Sequence, residues 1–118
     1  MKVIEKKIQI KSKDKKRIWI DGQELAGSDF IYGARYNIRY DFDKSEIVLN
    51  INPNGSREVS RRKKIDKTGK ITGRKNKEYS SPVIDVANTT VNELYKNKRK
   101  GTPIKITIAK NRIVISLL

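Results

Sequence analysis

Apolar and polar residues alternate with period two along most of this chain. Ile8 and Ile10 alternate with Lys7 and Gln9, and Ile18-Trp19-Ile20 forms a short branched and aromatic run. Tyr36, Ile38, Tyr40 and Phe42 alternate with Asn37, Arg39 and Asp41, and Ile47, Leu49 and Ile51 follow with Val48 and Asn50 between them. Near the end Ile104, Ile106 and Ile108 are separated by Lys105 and Thr107, then Ile113, Ile115 and Leu117 by Val114 and Ser116. This is the pattern of strands with one buried face. Two short helices interrupt it. One is predicted over residues 22–28 with Asp21 as N-cap. The other is predicted over residues 90–97, with Asn88 or Thr89 as cap and Val91, Leu94 and Tyr95 as its buried face. The expected class is mainly β with two short helices.

These elements recur in one order. Ile20-Asp21 matches Ile84-Asp85, a helix with a Leu follows each (Leu25, Leu94), and then a glycine opens a strand (Gly33, Gly101). Glu46-Ile47-Val48-Leu49 matches Arg112-Ile113-Val114-Ile115. The reading is a single domain, 1–118, with an internal repeat, 18–51 and 82–118, joined by a basic segment, 52–81. A strand, a short helix and a hairpin leave one apolar face open, and two copies packed together cover it. The predicted architecture is therefore a pseudo-dimer within one polypeptide, closed as a small barrel.

The joining segment differs from its flanks. It holds the turn signals Asn54-Gly55, Thr68-Gly69 and Thr72-Gly73, and few apolar residues besides Val59, Ile65, Ile71 and Tyr79. A structureless loop of that length is uncommon in a compact domain. A partly paired β-extension is expected instead, with Glu58-Val59-Ser60 prolonging a strand and Ile65 and Ile71 flanking the Lys67-Thr68-Gly69 turn.

The repeat resembles the AbrB/SymE-type swapped-hairpin unit, on Gly33 to Leu49 and Gly101 to Ile115. The tandem form is similar to small bacterial and phage proteins found beside DNA cytosine-5 methyltransferases. It shares Arg17-Ile18-Trp19-Ile20-Asp21-Gly22, Val59-Ser60-Arg61-Arg62, Pro82-Val83-Ile84-Asp85 and Arg112-Ile113-Val114-Ile115 with that pattern, over residues 17–118. Ala26-Gly27-Ser28-Asp29-Phe30 departs from it by an insertion. The resemblance implies a tandem swapped-hairpin barrel and an accessory DNA-binding role, with a methyltransferase or a nuclease as protein partner.

Composition narrows the chemistry. The chain has 118 residues with 28 Lys+Arg against 13 Asp+Glu, a net charge of +15, and neither His nor Cys. That excludes a Ser-His-Asp triad, a thiol nucleophile, a structural zinc site and disulfides. A carboxylate magnesium site needs only oxygens and stays open. No apolar stretch is long enough for a transmembrane helix. The start, Lys2-Val3-Ile4-Glu5-Lys6-Lys7, is too charged for a signal-peptide core, which predicts a cytoplasmic protein without membrane association. Residues 1–17 and 52–81 carry net +6 and +7, residues 18–51 net −3, and residues 82–118 net +5. Such asymmetry is an electrostatic footprint for a polyanion.

The strongest candidate is the run Arg61-Arg62-Lys63-Lys64, with Arg57, Lys67, Lys70, Arg74, Lys75 and Lys77 around it. Its functional reading is phosphate contact, which would fall steeply with salt. The alternative is a solvated loop. Lys13, Lys15 and Lys16, with Lys11 and Arg17, form a second phosphate arm or a charged hairpin tip. Arg35, Asn37 and Arg39 share one strand face and suit guanine and adenine edges, or simply face solvent, with Arg39 pairing Asp41 or Asp43. Tyr32, Tyr36, Tyr40, Phe42 and Trp19 are expected in or near the core, and Tyr79 is the better base-stacking candidate. Asp21 and Asp85, at matched positions, are read as helix caps or turn residues in preference to a metal or acid–base pair. Asp29, Asp41, Asp43 and Glu46 are read as a solvated cluster in preference to a metal cage.

The expected function is nucleic-acid binding, DNA preferred over RNA, by an accessory or regulatory protein that is not an enzyme and needs no cofactor or metal. RNA binding within a ribonucleoprotein is the second reading. A phage or mobile-element inhibitor that binds a host nuclease is the third. The repeat makes a monomer sufficient without forbidding a homodimer.

Overall fold

The structure, a computed structural model, describes residues 1–11, 15–61, 64–65, 71–72 and 81–118; of residues 61, 64–65 and 71–72 it describes the backbone. In chain order the elements are β1 (Lys2–Lys7), β2 (Gln9–Ile10), β3 (Lys16–Ile20), α1 (Gly22–Leu25), β4 (Arg35–Asp41), β5 (Glu46–Ile51), β6 (Arg57–Glu58) and β7 (Ser60–Arg61). Then come β8 (Lys64–Ile65), β9 (Ile71–Thr72), β10 (Pro82–Val86), α2 (Thr89–Leu94), β11 (Pro103–Ile108) and β12 (Arg112–Leu117). The protein is mainly β with two short helices, as the alternation predicts.

Among the described residues every strand pair is antiparallel. One sheet has six strands in the order β1-β11-β12-β5-β4-β6, a second has four in the order β2-β3-β10-β7, and β8 pairs with β9. Both predicted hairpins form: Tyr40 lies opposite Ile47 in β4–β5, and Ile106 opposite Ile115 in β11–β12. Ile65 lies opposite Ile71, as expected of residues flanking a turn; the turn itself, 66–70, is outside the described residues.

Two strands change sheets at a buried corner. Residues 3–10, whose alternation reads as a single strand, are broken at Ile8, with β1 in the larger sheet and β2 in the smaller. Ile8 N–H donates to the Thr102 carbonyl at 3.0 Å, and Gly101 N–H donates to the Ile8 carbonyl at 2.8 Å. Val59 does the same between β6 and β7. Its N–H donates to the Ala34 carbonyl at 2.8 Å, and its carbonyl accepts from Gly33 N–H at 3.0 Å. Such bends join the two layers of a sheet packing. The expected closed barrel is not found among the described residues: the strands pair in separate sheets, whose edges meet at these corners, β1 continuing into β2 and β6 into β7.

Both strand orders are palindromic. They read the same from either end when β1 is exchanged with β6, β2 with β7, β3 with β10, β4 with β11 and β5 with β12. The centres of this exchange are the pair Val48–Val114 in the larger sheet and Trp19–Asp85 in the smaller. Gly33 and Gly101 occupy corresponding positions with φ of 86° and 89°. The register corrects one expectation. Ile84 lies opposite Ile20 and Val86 opposite Ile18, so the exchange equates Asp85 with Trp19 and not with Asp21. The shared Ile-Asp dipeptide is offset by one full turn of the pleat.

The core lies between the two sheets. Ile104, Ile106, Ile108, Ile113, Ile115, Ile47, Leu49 and Tyr36 of the larger sheet form one cluster with Ile18, Ile20, Ile84 and Val86 of the smaller. Leu25, Phe30, Val91 and Tyr95 complete it. Burying each such side chain contributes about 1.5–3 kcal/mol. The first helix begins as predicted, the second begins one residue before the expected 90, and both end sooner. Asp21 N–H donates to Glu24 Oε1 at 3.0 Å at the start of α1, and Asn88 Oδ1 accepts from Val91 N–H at 2.9 Å at the start of α2. The backbone of α1 leaves the helix at Ala26 (φ −57°, ψ 136°), and Gly27 is left-handed at φ 83°. Tyr95 ends α2, where Lys98 N–H turns back to the Tyr95 carbonyl.

Tyr95 yields a test of this core. Burial, and then the charge of Glu46, push its phenol up to about 12. An unfolded phenol ionises near pH 10, roughly two units lower. The stability it contributes is therefore whole below pH 10 and is lost as pH rises to about 12, a change of about 2–3 kcal/mol. Urea unfolding from pH 9 to pH 12 is expected to fall more steeply for the wild type than for Tyr95→Phe. Parallel profiles would show that Tyr95 does not keep its proton in the fold.

Candidate nucleic-acid interface

The predicted site residues divide by where the chain puts them. Arg35, Asn37 and Arg39 alternate outward along β4, with Tyr36 buried between them. Arg35 Nε donates to the Gly55 carbonyl at 2.8 Å, and its Nη1 lies 3.5 Å from Glu58. It is spent in part on its own surroundings. Arg39 is exposed and pairs with neither Asp41 nor Asp43. It stands beside the row formed by Asn37, Asn50 and Arg112 across β4, β5 and β12. Arg57 turns toward Tyr36. Burial pushes the Tyr36 phenol up, and the Arg57 charge and hydrogen bond oppose that rise.

The β2–β3 hairpin brings its cations to one end of the molecule. Lys15 is exposed, and Lys16 N–H donates to Asn92 Oδ1 of α2 at 2.9 Å. That bond ties the hairpin to the helix. The turn after α2 is tied to the same end through the two hydrogen bonds at Ile8. This turn is Lys96-Asn97-Lys98-Arg99-Lys100, exposed throughout. Among the described residues none of its four cations, nor Lys7, Lys15 or Lys16, takes part in an ion pair. Like charges held together without acids are costly alone and favourable beside a polyanion.

The expectations for Lys15 and Lys16 thus meet residues not singled out from the sequence. Four cations in five positions was a legible signal at 96–100. It was diluted because the run follows a helix and belongs to a segment of modest net charge. Lys13, Arg62, Lys63, Lys67, Lys70, Arg74, Lys75, Lys77 and the stacking candidate Tyr79 lie outside the described residues, and for Arg61 and Lys64 only the backbone is described.

Above the β2–β3 hairpin, the outward face of the four-stranded sheet carries a second arrangement. Arg17 Nε and Nη2 donate to Asp85 Oδ1 and Oδ2 at 3.1 and 2.7 Å. The Arg17 guanidinium sits over the Trp19 ring, 4.7 Å from its centroid. Lys11 Nζ lies 3.4 Å from Asp85. Burial pushes the Asp85 carboxyl up, but the Arg17 hydrogen bonds and the Arg17 and Lys11 charges outweigh it and hold the carboxyl below the usual carboxylate range. The hydrogen bond to Asp85 raises Arg17 in turn.

Three expectations are corrected here. Asp85 is not a helix cap: it sits within β10, where its side chain leaves the sheet toward Arg17. Trp19 is half-buried on the outward face and outside the core cluster, since its neighbours Ile18 and Ile20 take the inward side. Phe42 lies in the β4–β5 turn and is 55 % exposed, because the strand ends at Asp41. Tyr36 is buried as expected and meets Phe30 edge-on with ring centroids 6.0 Å apart.

Among the described residues no group of three or more Asp or Glu side chains is placed to hold a metal ion. No helix among them is long and apolar enough to cross a membrane. No protein-family model matches this chain, nor does any curated protein or solved structure.

Proposed function

We propose that this protein binds nucleic acid, DNA in preference to RNA, as a cytoplasmic accessory protein without an enzymatic step, and that it does so through phosphate contacts. The observation that carries this reading is the basic end, without an ion pair among the described residues, where Lys15, Lys16, Lys96, Lys98, Arg99 and Lys100 converge from two distant segments. Each phosphate such a surface neutralises releases counterions, so affinity comes with a salt dependence. Two of the carboxylates have structural duties. Asp85 holds Arg17, and Glu24 accepts from Asp21 N–H and pairs with Lys6 at 2.7 Å. The palindromic strand order supports a duplicated unit of the swapped-hairpin kind, in which each half receives the first strand of the other. It also supports a monomer as the working form, since one chain supplies both halves. A modification or mobile-element setting rests on the sequence resemblance.

The test is binding of matched duplex DNA, duplex RNA and single-stranded DNA across a salt series. Wild type is compared with a variant carrying Lys96→Ala, Lys98→Ala, Arg99→Ala and Lys100→Ala. These side chains are exposed, so the fold is expected to survive. The expected result is tight binding by the wild type, weakened about tenfold in the variant, with the slope of log affinity against log salt reduced by about 2–4. A variant with the wild-type slope would remove this end from the contact. No binding at micromolar protein and physiological salt would end the nucleic-acid reading.

A further inference from the structure

We propose that the outward face of the four-stranded sheet is a stacking site for an unpaired base, with Trp19 and Arg17 as its platform, so that the preferred ligand is DNA with single-stranded segments. This rests on the nucleic-acid reading above and adds a second contact to it. The sheet has no core use for Trp19. Ile18 and Ile20 on either side are fully buried, while the indole lies on the opposite face, outside the core cluster. Arg17 covers it at 4.7 Å and is clamped by both oxygens of Asp85. The platform is thus rigid before anything binds, which lowers the ordering cost of a contact.

Unpaired bases stack on aromatic rings and on guanidinium planes. Phosphates need cations nearby, and the same face supplies them. Lys11 is about half exposed beside Asp85, and Lys15 is exposed immediately before β3. Paired bases are excluded by shape: four strands span roughly 15 Å, wider than the ~12 Å major groove, so this face cannot enter a duplex to reach a base edge.

Trp19 is the only tryptophan in the chain, so its emission reports on this site alone. The full chain is titrated with oligodeoxythymidine of about 12 nucleotides and with a duplex of equal length, reading emission together with anisotropy of labelled strands. The expected result is strong quenching by the single strand and none by the duplex. Arg17→Lys keeps the charge and loses the planar fork. It is expected to weaken single-strand binding about tenfold and to leave duplex affinity unchanged. Salt-sensitive binding with unmoved Trp19 emission would overturn the stacking site and leave the phosphate reading standing. Equal quenching by duplex would overturn the requirement for unpaired bases. No binding of either nucleic acid would overturn both proposals.

Discussion

Gly55→Ala is expected to cost about 3 kcal/mol of stability, a fall of roughly 10–15 °C in Tm. Gly55 is buried where the β5–β6 connection crosses β4. A Cβ there would lie 2.5 Å from both the carbonyl carbon and the oxygen of Tyr36, and 2.7 Å from its nitrogen. These are backbone atoms of β4, which is paired on both sides at Tyr36, and they cannot rotate away. The connection is also held from both sides. Gly55 N–H donates to the Asn52 carbonyl at 2.8 Å, Asn52 N–H to the Arg35 carbonyl at 2.9 Å, and Arg35 returns a bond to the Gly55 carbonyl. Relieving the clash means moving β6 off β4, and with it the Val59 corner. Gly101→Ala is the control. Its φ of +89° is strained for alanine, but nothing lies within 4 Å, so about 1 kcal/mol is expected. Thermal unfolding of the two variants side by side separates close approach from backbone conformation. Equal losses would refute the close approach at Gly55.

Ile113→Ala is expected to lose about 4 kcal/mol. Ile113 is fully buried in β12, between Ile108 of β11 and Leu49 of β5. Strands on both sides fix its surroundings, so the cavity left by truncation cannot collapse. Val114, one residue on, points to the other face and is half-exposed. Val114→Ala is expected to lose about 1 kcal/mol or less. In urea the midpoint should drop sharply for the first and slightly for the second, with the m-value unchanged in both. A loss under about 1.5 kcal/mol at Ile113 would mean that the two layers are not packed as described.

Much of this fold was legible along the chain, for identifiable reasons. The hairpins β4–β5 and β11–β12 follow from strict alternation, because one wet face and one dry face leave a readable period. The helix starts were legible because Asp21 and Asn88 carry short oxygen-bearing side chains immediately before a turn. What alternation cannot report is which sheet a strand belongs to. Ile4, Lys6, Ile8 and Ile10 keep the same phase through the corner at Ile8, so residues 3–10 read as one strand. Nor can a run of three apolar residues say which side is inward. Ile18-Trp19-Ile20 buries its two isoleucines, and the tryptophan goes outward with Arg17. For the candidate site, the basic character of the β2–β3 hairpin was legible and its meeting with the turn at 96–100 was not. Proximity between them depends on Lys16 meeting Asn92, a contact across the chain that no local pattern carries. Asp85 illustrates the same limit: the dipeptide match predicts a cap, and the register instead sets Asp85 opposite Trp19 within the sheet.

The position of β12 has a consequence for synthesis. It follows the other described strands in chain order, yet it occupies the interior of the six-stranded sheet between β11 and β5, and among the described residues β1 has β11 as its one neighbour. On a ribosome adding about 5–20 residues per second, the β4–β5 hairpin emerges early with Ile47 and Leu49 uncovered. It waits for residues 112–117 before β12 can take that side. The interior of the sheet therefore closes only after the β11–β12 hairpin has been made, through contacts far apart in sequence. Nascent chains halted before residue 112 should be bound by chaperones, or should associate through their open strands, whereas chains that include β12 should not.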